Sequence, residues 1–303
     1  MLDKATKFIL AVLIFVAVLV WANSIFNASK PDNSGSDNSG LGNSGSEKVG
    51  TIKAATPVAS PFQSASPKPI KYTVYPIIIY DILLGGVDGM GVWLRADDVS
   101  KNIKAGTVYT VYGSSQIITH SKGSRMERDD QAGAEWVKLD FKGQYEFATT
   151  ATWNLFPRNI TEKKNDNQAV AKIVSNYLKK QRMDVKNPII CKVLQADLEN
   201  DGNVETIVEA RNFNIDNIYG MNSLGKYSLI LVSRGNKVLK CLQVFAGTMD
   251  NGVINYSKLV GAADLNNDGL IEIIAKGGYY EGFGYNVYEP IHYIVRLDNA
   301  WGA

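Results

Sequence analysis

The chain has 303 residues, of which 45% are hydrophobic and 20% charged, so it can bury a sizeable core. Its 32 basic and 30 acidic residues leave a net charge of +2 with no long block of one sign, which argues against a nucleic-acid partner. With only two histidines (His120 and His292), and neither a G-x-S-x-G elbow nor an H-E-x-x-H motif, no known catalytic constellation stands out.

Lys4 and Lys7 precede an apolar run from Phe8 to Ala22, which extends to Phe26 across Asn23 and Ser24. The shorter span suits the core of a signal peptide and the longer one just crosses a bilayer. Residues 1–26 are therefore either an uncleaved membrane anchor or a signal peptide cut after Ala22. No cysteine follows the run, which excludes a bacterial lipoprotein anchor. Lysines ahead of the span predict a single-pass protein of the cell membrane with its C-terminal bulk outside. Cleavage would instead release it, and both readings export it.

Residues 27–69 repeat Asn-Ser-Gly at 33, 38 and 43 and continue into "TPVASPFQSASPKP". Such a stretch buries too little apolar surface to order itself and reads as a disordered tether. From 70 to 160 the pattern is that of a small β-domain of about six strands. The apolar "KYTVYPIIIYDILLGG" opens it, and "AEWVKLDF" alternates as a half-buried strand does.

A helix follows in "NDNQAVAKIVSNYLKKQRMDVKNP". Val170, Ile173, Val174, Tyr177 and Leu178 fall on one stripe, as expected of a packing helix. Asn165 or Asp166 can cap its start with Gln168 reaching back. Lys179, Lys180 and Arg182 suit its last turn, and Pro188 forbids continuation.

Two sets of strands complete the chain to 303. "IICKVLQADL", "VETIVEARN", "KYSLILVSR" and "KVLKCLQVFAG" form the first; "KLVGAADL", "IEIIAKGGYY" and "YEPIHYIVRL" form the second. Cys191 and Cys241 are either bridged or simply buried. On the first and fourth strands of one meander they would lie about 14 Å apart, too far for a disulfide, which tolerates about 7 Å between Cα atoms.

The pattern A-D-L-x-N-D-G-x-x-E-x-I occurs twice, at an offset of 67 residues. Oxygens fall at positions one, three and five: Asp197, Glu199 and Asp201, then Asp264, Asn266 and Asp268. A glycine at six permits a sharp turn, the carbonyl of Asn203 or Leu270 is available at seven, and Glu205 or Glu272 can close the shell at nine. Hard oxygen donors in this number suit calcium, with a structural role. Asn-Asp-Gly is also a good metal-free hairpin turn, although such a turn does not require the glutamate at nine. The loops are not EF-hands, because position twelve is Val208 or Ala275 and strands flank them.

Over residues 188–303 the sequence resembles the integrin-type FG-GAP and VCBS-like repeats, whose acidic loop joins two strands of a β-blade. The helix and two repeats together also resemble uncharacterised exported bacterial proteins. The resemblance implies calcium on Asp264, Asn266, Asp268 and Glu272, and on Asp197, Asp201 and Glu205. Glu199 is longer than the usual Asp or Asn at its position, and two repeats are too few to close a propeller.

Behind the second loop, "GGYYEGFGYNVYE" sets Glu281 among Tyr279, Tyr280, Phe283 and Tyr285. It reads as a glycine-bent hairpin with tyrosines packed across strands, and secondarily as a ligand surface. The sequence thus predicts a mainly β (α+β) protein with two blade-like modules. Its expected role is a calcium-binding module at the cell envelope, recognising glycan or protein. The alternative is an envelope hydrolase using Glu281.

Overall fold

The computed structural model describes residues 73–129, 134–165, 167–250 and 252–302, all within one compact unit. The expected N-terminal anchor or signal, the tether and Asp166 lie outside the described residues. The protein is mainly β, with three antiparallel sheets, none of them closed. Among the described residues no helix is long and apolar enough to cross a membrane.

The first sheet contains β1 (Val74–Ile79), β2 (Ile82–Asp88), β3 (Trp93–Arg95), β4 (Val108–Tyr112), β5 (Ile117–Lys122), β6 (Glu127–Arg128), β7 (Glu135–Trp136) and β8 (Phe147–Thr149). The order is β5-β4-β8-β1-β2-β7-β6, with β3 paired to β2. Eight strands replace the expected six because β3, β6 and β7 have two or three residues, too few to show alternation. The unbroken apolar run of β1 and β2 is explained by burial on both faces. Ile77, Ile79, Ile82 and Leu84 enter one core, whereas Ile78 and Leu83 enter another with Val99, Tyr109 and Val111. Val99 comes from a short helix, α1 (Ala96–Ser100).

The second sheet runs β13 (Lys237–Ala246), β12 (Tyr227–Arg234), β11 (Glu205–Arg211), β10 (Ile190–Ala196) and β9 (Thr161–Lys163). Helix α2 (Gln168–Lys180) buries Val170, Ile173, Val174 and Leu178 against Val193, Val208, Leu229 and Leu231. Its cap is Asn167, one residue beyond the expected pair. The Asn167 side-chain Oδ1 accepts from the Ala169 amide at 2.9 Å, while Asn165 Nδ2 donates to the Cys191 carbonyl at 2.8 Å. Arg182 lies past the last turn in a left-handed conformation (φ 64°). There Met183 N donates to Leu178 O at 3.0 Å, closing a Schellman-type end. Cys191 on β10 and Cys241 on β13 are separated by two strands, and both are free.

The third sheet is a meander, β14 (Tyr256–Ala263), β15 (Glu272–Tyr279), β16 (Gly282–Tyr288) and β17 (Val295–Gly302). The expected strand over 288–297 is therefore corrected. Residues 289–294 form a turn closed by Glu289 N donating to Ile294 O at 2.9 Å, with Tyr293 left-handed (φ 52°). Pro290 has no amide to contribute to a ladder there. The third sheet is sandwiched by the other two. Val260, Ala263, Ile274 and Val287 face the core shared with β1 and β2, and Leu259, Ala262 and Ile273 face Leu194, Ile207 and Ile230.

Candidate metal centre

The repeated sequence folds into two copies of one device. The first loop (197–205) joins β10 to β11 and the second (264–272) joins β14 to β15. In each, the aspartate at position one accepts from the glycine amide at six, Gly202 at 3.0 Å and Gly269 at 3.1 Å. The aspartate at five accepts from the amide at seven, Asn203 at 2.9 Å and Leu270 at 2.8 Å. The glutamate at nine reaches back to the amide at two, Leu198 at 3.0 Å and Leu265 at 2.8 Å. Gly202 and Gly269 take φ values of 81° and 82°, which glycine adopts without strain. At position four Asn200 and Asn267 are also left-handed (57° and 62°). Each is the asparagine of the Asn-Asp-Gly turn signal, and asparagine tolerates the left-handed conformation.

The loops touch, since Ile271 N donates to Leu198 O at 3.0 Å. A segment ahead of β9 grips both from outside. Trp153 Nε1 donates to Asp264 O at 2.9 Å, and Arg158 Nε donates to Asp197 O at 2.6 Å. Neither residue carried a signal in the sequence.

The two copies differ in what meets their carboxylates. In the first loop Arg234, at the end of β12, donates from Nε to Glu205 Oε1 at 2.6 Å. Its Nη2 lies 3.3 Å from Glu199 Oε2 and 3.2 Å from Asp201 Oδ2. The three carboxylates raise the guanidinium's affinity for its proton, and the Asn203 and Arg234 contacts hold Asp201 below the usual carboxylate range. Asp197 spends both oxygens on the amides of Asp201 and Gly202.

In the second loop Glu272 is fully buried and Asp264 is 3% exposed. Asp264 Oδ1 and Glu272 Oε1 have no hydrogen-bond partner. Burial, followed by repulsion from Asp268 and Asp264, pushes the Glu272 carboxyl well above its usual range. Burial likewise raises Asp264. The register Ile273 to Tyr288, continued by one residue, sets Glu289 where Arg234 stands in the other sheet. Glu289 turns instead to Arg296 and to His292, whose Nδ1 lies 3.6 Å away. Asp268 is exposed and is held by its own loop, with Oδ2 accepting from Asn266 Nδ2 at 2.9 Å. Among the described residues no three His, Cys, Asp or Glu side chains form a ready-made metal cluster. The second loop's donors are hard oxygens that include an amide and a carbonyl, a set that fits calcium.

The tyrosine-rich stretch divides. Tyr285 is 2% exposed within the core, and Lys276 Nζ sits 4.1 Å from the Phe283 ring centre. Glu281 is exposed at the β15–β16 turn beside Tyr280, which meets Tyr279 and the exposed Tyr219 edge-on at 5.6 Å. The exposed part is thus Tyr219, Tyr280 and Glu281, with Tyr279 half-buried. Compared with protein families, curated proteins and solved structures, the chain matches none.

Proposed function

We propose that the protein is an exported, membrane-tethered β-repeat module of the cell envelope whose second loop holds a structural calcium ion. The observation that carries this reading is the pair of buried carboxylates, Asp264 and Glu272, each with one oxygen (Oδ1 and Oε1) left without a formed hydrogen bond. The Asn267 and Asp268 amides approach Asp264 closely enough to favour its charged form, but burial outweighs them. Burying carboxylates without a counter-charge is costly, and a divalent ion is the chemistry that offsets it. Asp264, Asn266, Asp268, Glu272 and the Leu270 carbonyl are the ligands, and the likeness to FG-GAP and VCBS-like repeats supports the same set. Export rests on the apolar segment at residues 8–26 and the Asn/Ser/Gly tether. Tyr219, Tyr280 and Glu281 offer an amphipathic face for envelope glycan or protein. Nothing favours the hydrolase reading, since Glu281 lies exposed at a hairpin tip.

Terbium substitutes for calcium and luminesces when a nearby indole is excited, and Trp153 hydrogen-bonds the second loop itself. Full-length protein should give a saturable signal that millimolar calcium displaces and Asp264→Asn removes. Absence of a signal, or one indifferent to Asp264→Asn, overturns the reading.

A further inference from the structure

We infer that Arg234 is the resident cation of the first loop and closes it to metal, leaving one calcium site where the sequence repeat suggests two. The inference rests on the calcium reading of the second loop for its contrast, but its evidence is local. In a loop built to gather oxygens, Nε and Nη2 of Arg234 reach Glu205, Glu199 and Asp201 at 2.6, 3.3 and 3.2 Å. The remaining oxygen of Glu205 and both oxygens of Asp197 accept backbone amides. Among these, no buried oxygen is left over, whereas the second loop leaves two.

A planar guanidinium with forked donors suits such bridging better than an ammonium does. Glu199 fits the same account. It departs from the short Asp or Asn expected at position three, and its extra methylene lets the carboxylate reach Arg234 at the strand end. A calcium ion entering this loop would have to expel a guanidinium held by three carboxylates, and its own charge would repel the displaced group. The first module is therefore held in shape at any calcium concentration, while the second is calcium-dependent. The Ile271–Leu198 backbone hydrogen bond joins the permanent loop to the conditional one.

The experiment is calcium stoichiometry on full-length protein by calorimetry, for wild type, Arg234→Gln and Arg234→Lys, with unfolding followed in chelator and in 10 mM calcium on the order expected for extracellular modules. Wild type should bind one ion, and Asp201→Asn should leave that ion in place. Arg234→Gln, which strands the buried Glu205, should melt lower in chelator, recover in calcium and bind two ions. Arg234→Lys keeps the charge and should still bind one. Two ions on wild type overturn the inference while leaving calcium at the second loop intact. No ion on wild type overturns the calcium reading, and a gain of one ion by Arg234→Gln would still support the arginine lock. An Arg234→Gln variant that gains no ion, or stays unfolded in calcium, overturns the lock.

Discussion

Glu272→Gln separates a buried metal ligand from a buried hydrogen-bond acceptor, because the two roles predict opposite shifts in the absence of metal. The wild-type carboxylate is fully buried, with Oε2 accepting from Leu265 N at 2.8 Å and Oε1 meeting nothing. Holding one ion in such a place costs several kcal/mol. Glutamine keeps an oxygen for the Leu265 amide and removes the charge, but strands an NH2 group at about 1–3 kcal/mol. In chelator the variant should therefore be more stable by roughly 1–2 kcal/mol. At about 2–4 °C per kcal/mol for a body of this size, its melting temperature should rise by about 2–8 °C. Calcium at ~10 mM, with a dissociation constant of ~10⁻⁴ to 10⁻³ M, should then add about 1.4–2.7 kcal/mol to wild type alone. Thermal unfolding of full-length protein by circular dichroism, with chelator and with calcium, reads both effects. Equal calcium shifts in the two proteins would show that the ion binds elsewhere. A variant that melts below wild type in chelator and ignores calcium, beside a wild type that also ignores it, would reduce Glu272 to a turn-closing acceptor.

Four further outcomes follow from the same geometry. In chelator, the stability difference between wild type and Glu272→Gln should depend on pH. A carboxyl raised in the folded state keeps a proton that the unfolded chain releases, so wild type is favoured below the unfolded value of about 4.3 and loses ground as pH rises through its raised folded value. Melts from roughly pH 4 to 8 should show the gap widening with pH, and a gap that narrows contradicts the burial argument. Leu178→Ala, at a fully buried position of α2, should cost about 2–5 kcal/mol in a urea titration. Asn267→Val, which forces a β-branched residue into φ 62°, should cost about 1–2 kcal/mol, with Asn267→Gly close to neutral. Thiol titration of the denatured protein without reductant should count both Cys191 and Cys241 as free, and a count of zero would contradict the order of β10 to β13.

The chain's local signals specify structure where the physics is local. The stripe Val170, Ile173, Val174 and Leu178 specifies α2 because helical spacing alone puts those residues on one face, and all four are buried. The strands Ile190–Ala196, Glu205–Arg211 and Glu272–Tyr279 were legible for the same reason, and so was the shared turn of the two acidic loops, whose chemistry lies within nine consecutive residues. Segments failed where the deciding contact is distant. Residues 289–294 are a local exception: Pro290 was the available break signal, and the segment turns through the Glu289–Ile294 hydrogen bond and a left-handed tyrosine. Trp153 and Arg158 carry no local sign of gripping loops 111 and 39 residues away, respectively.

Arg234 sharpens the point. It lies 29 residues after Glu205 and reaches it only because β11 and β12 pair in one register. The corresponding pairing of β15 with β16 brings Glu289 to that place, and Glu289 is drawn away by Arg296. Two loops with nearly the same sequence share three amide contacts but differ at the fourth, where Asp197 accepts the Asp201 amide and Asp264 does not accept that of Asp268. They also differ in charge balance, through residues that belong to neither motif. A motif specifies where oxygens converge, whereas the adjoining strand decides which cation they meet. On the proposed calcium reading, that division gives one loop that keeps its shape without metal beside one whose shape depends on it.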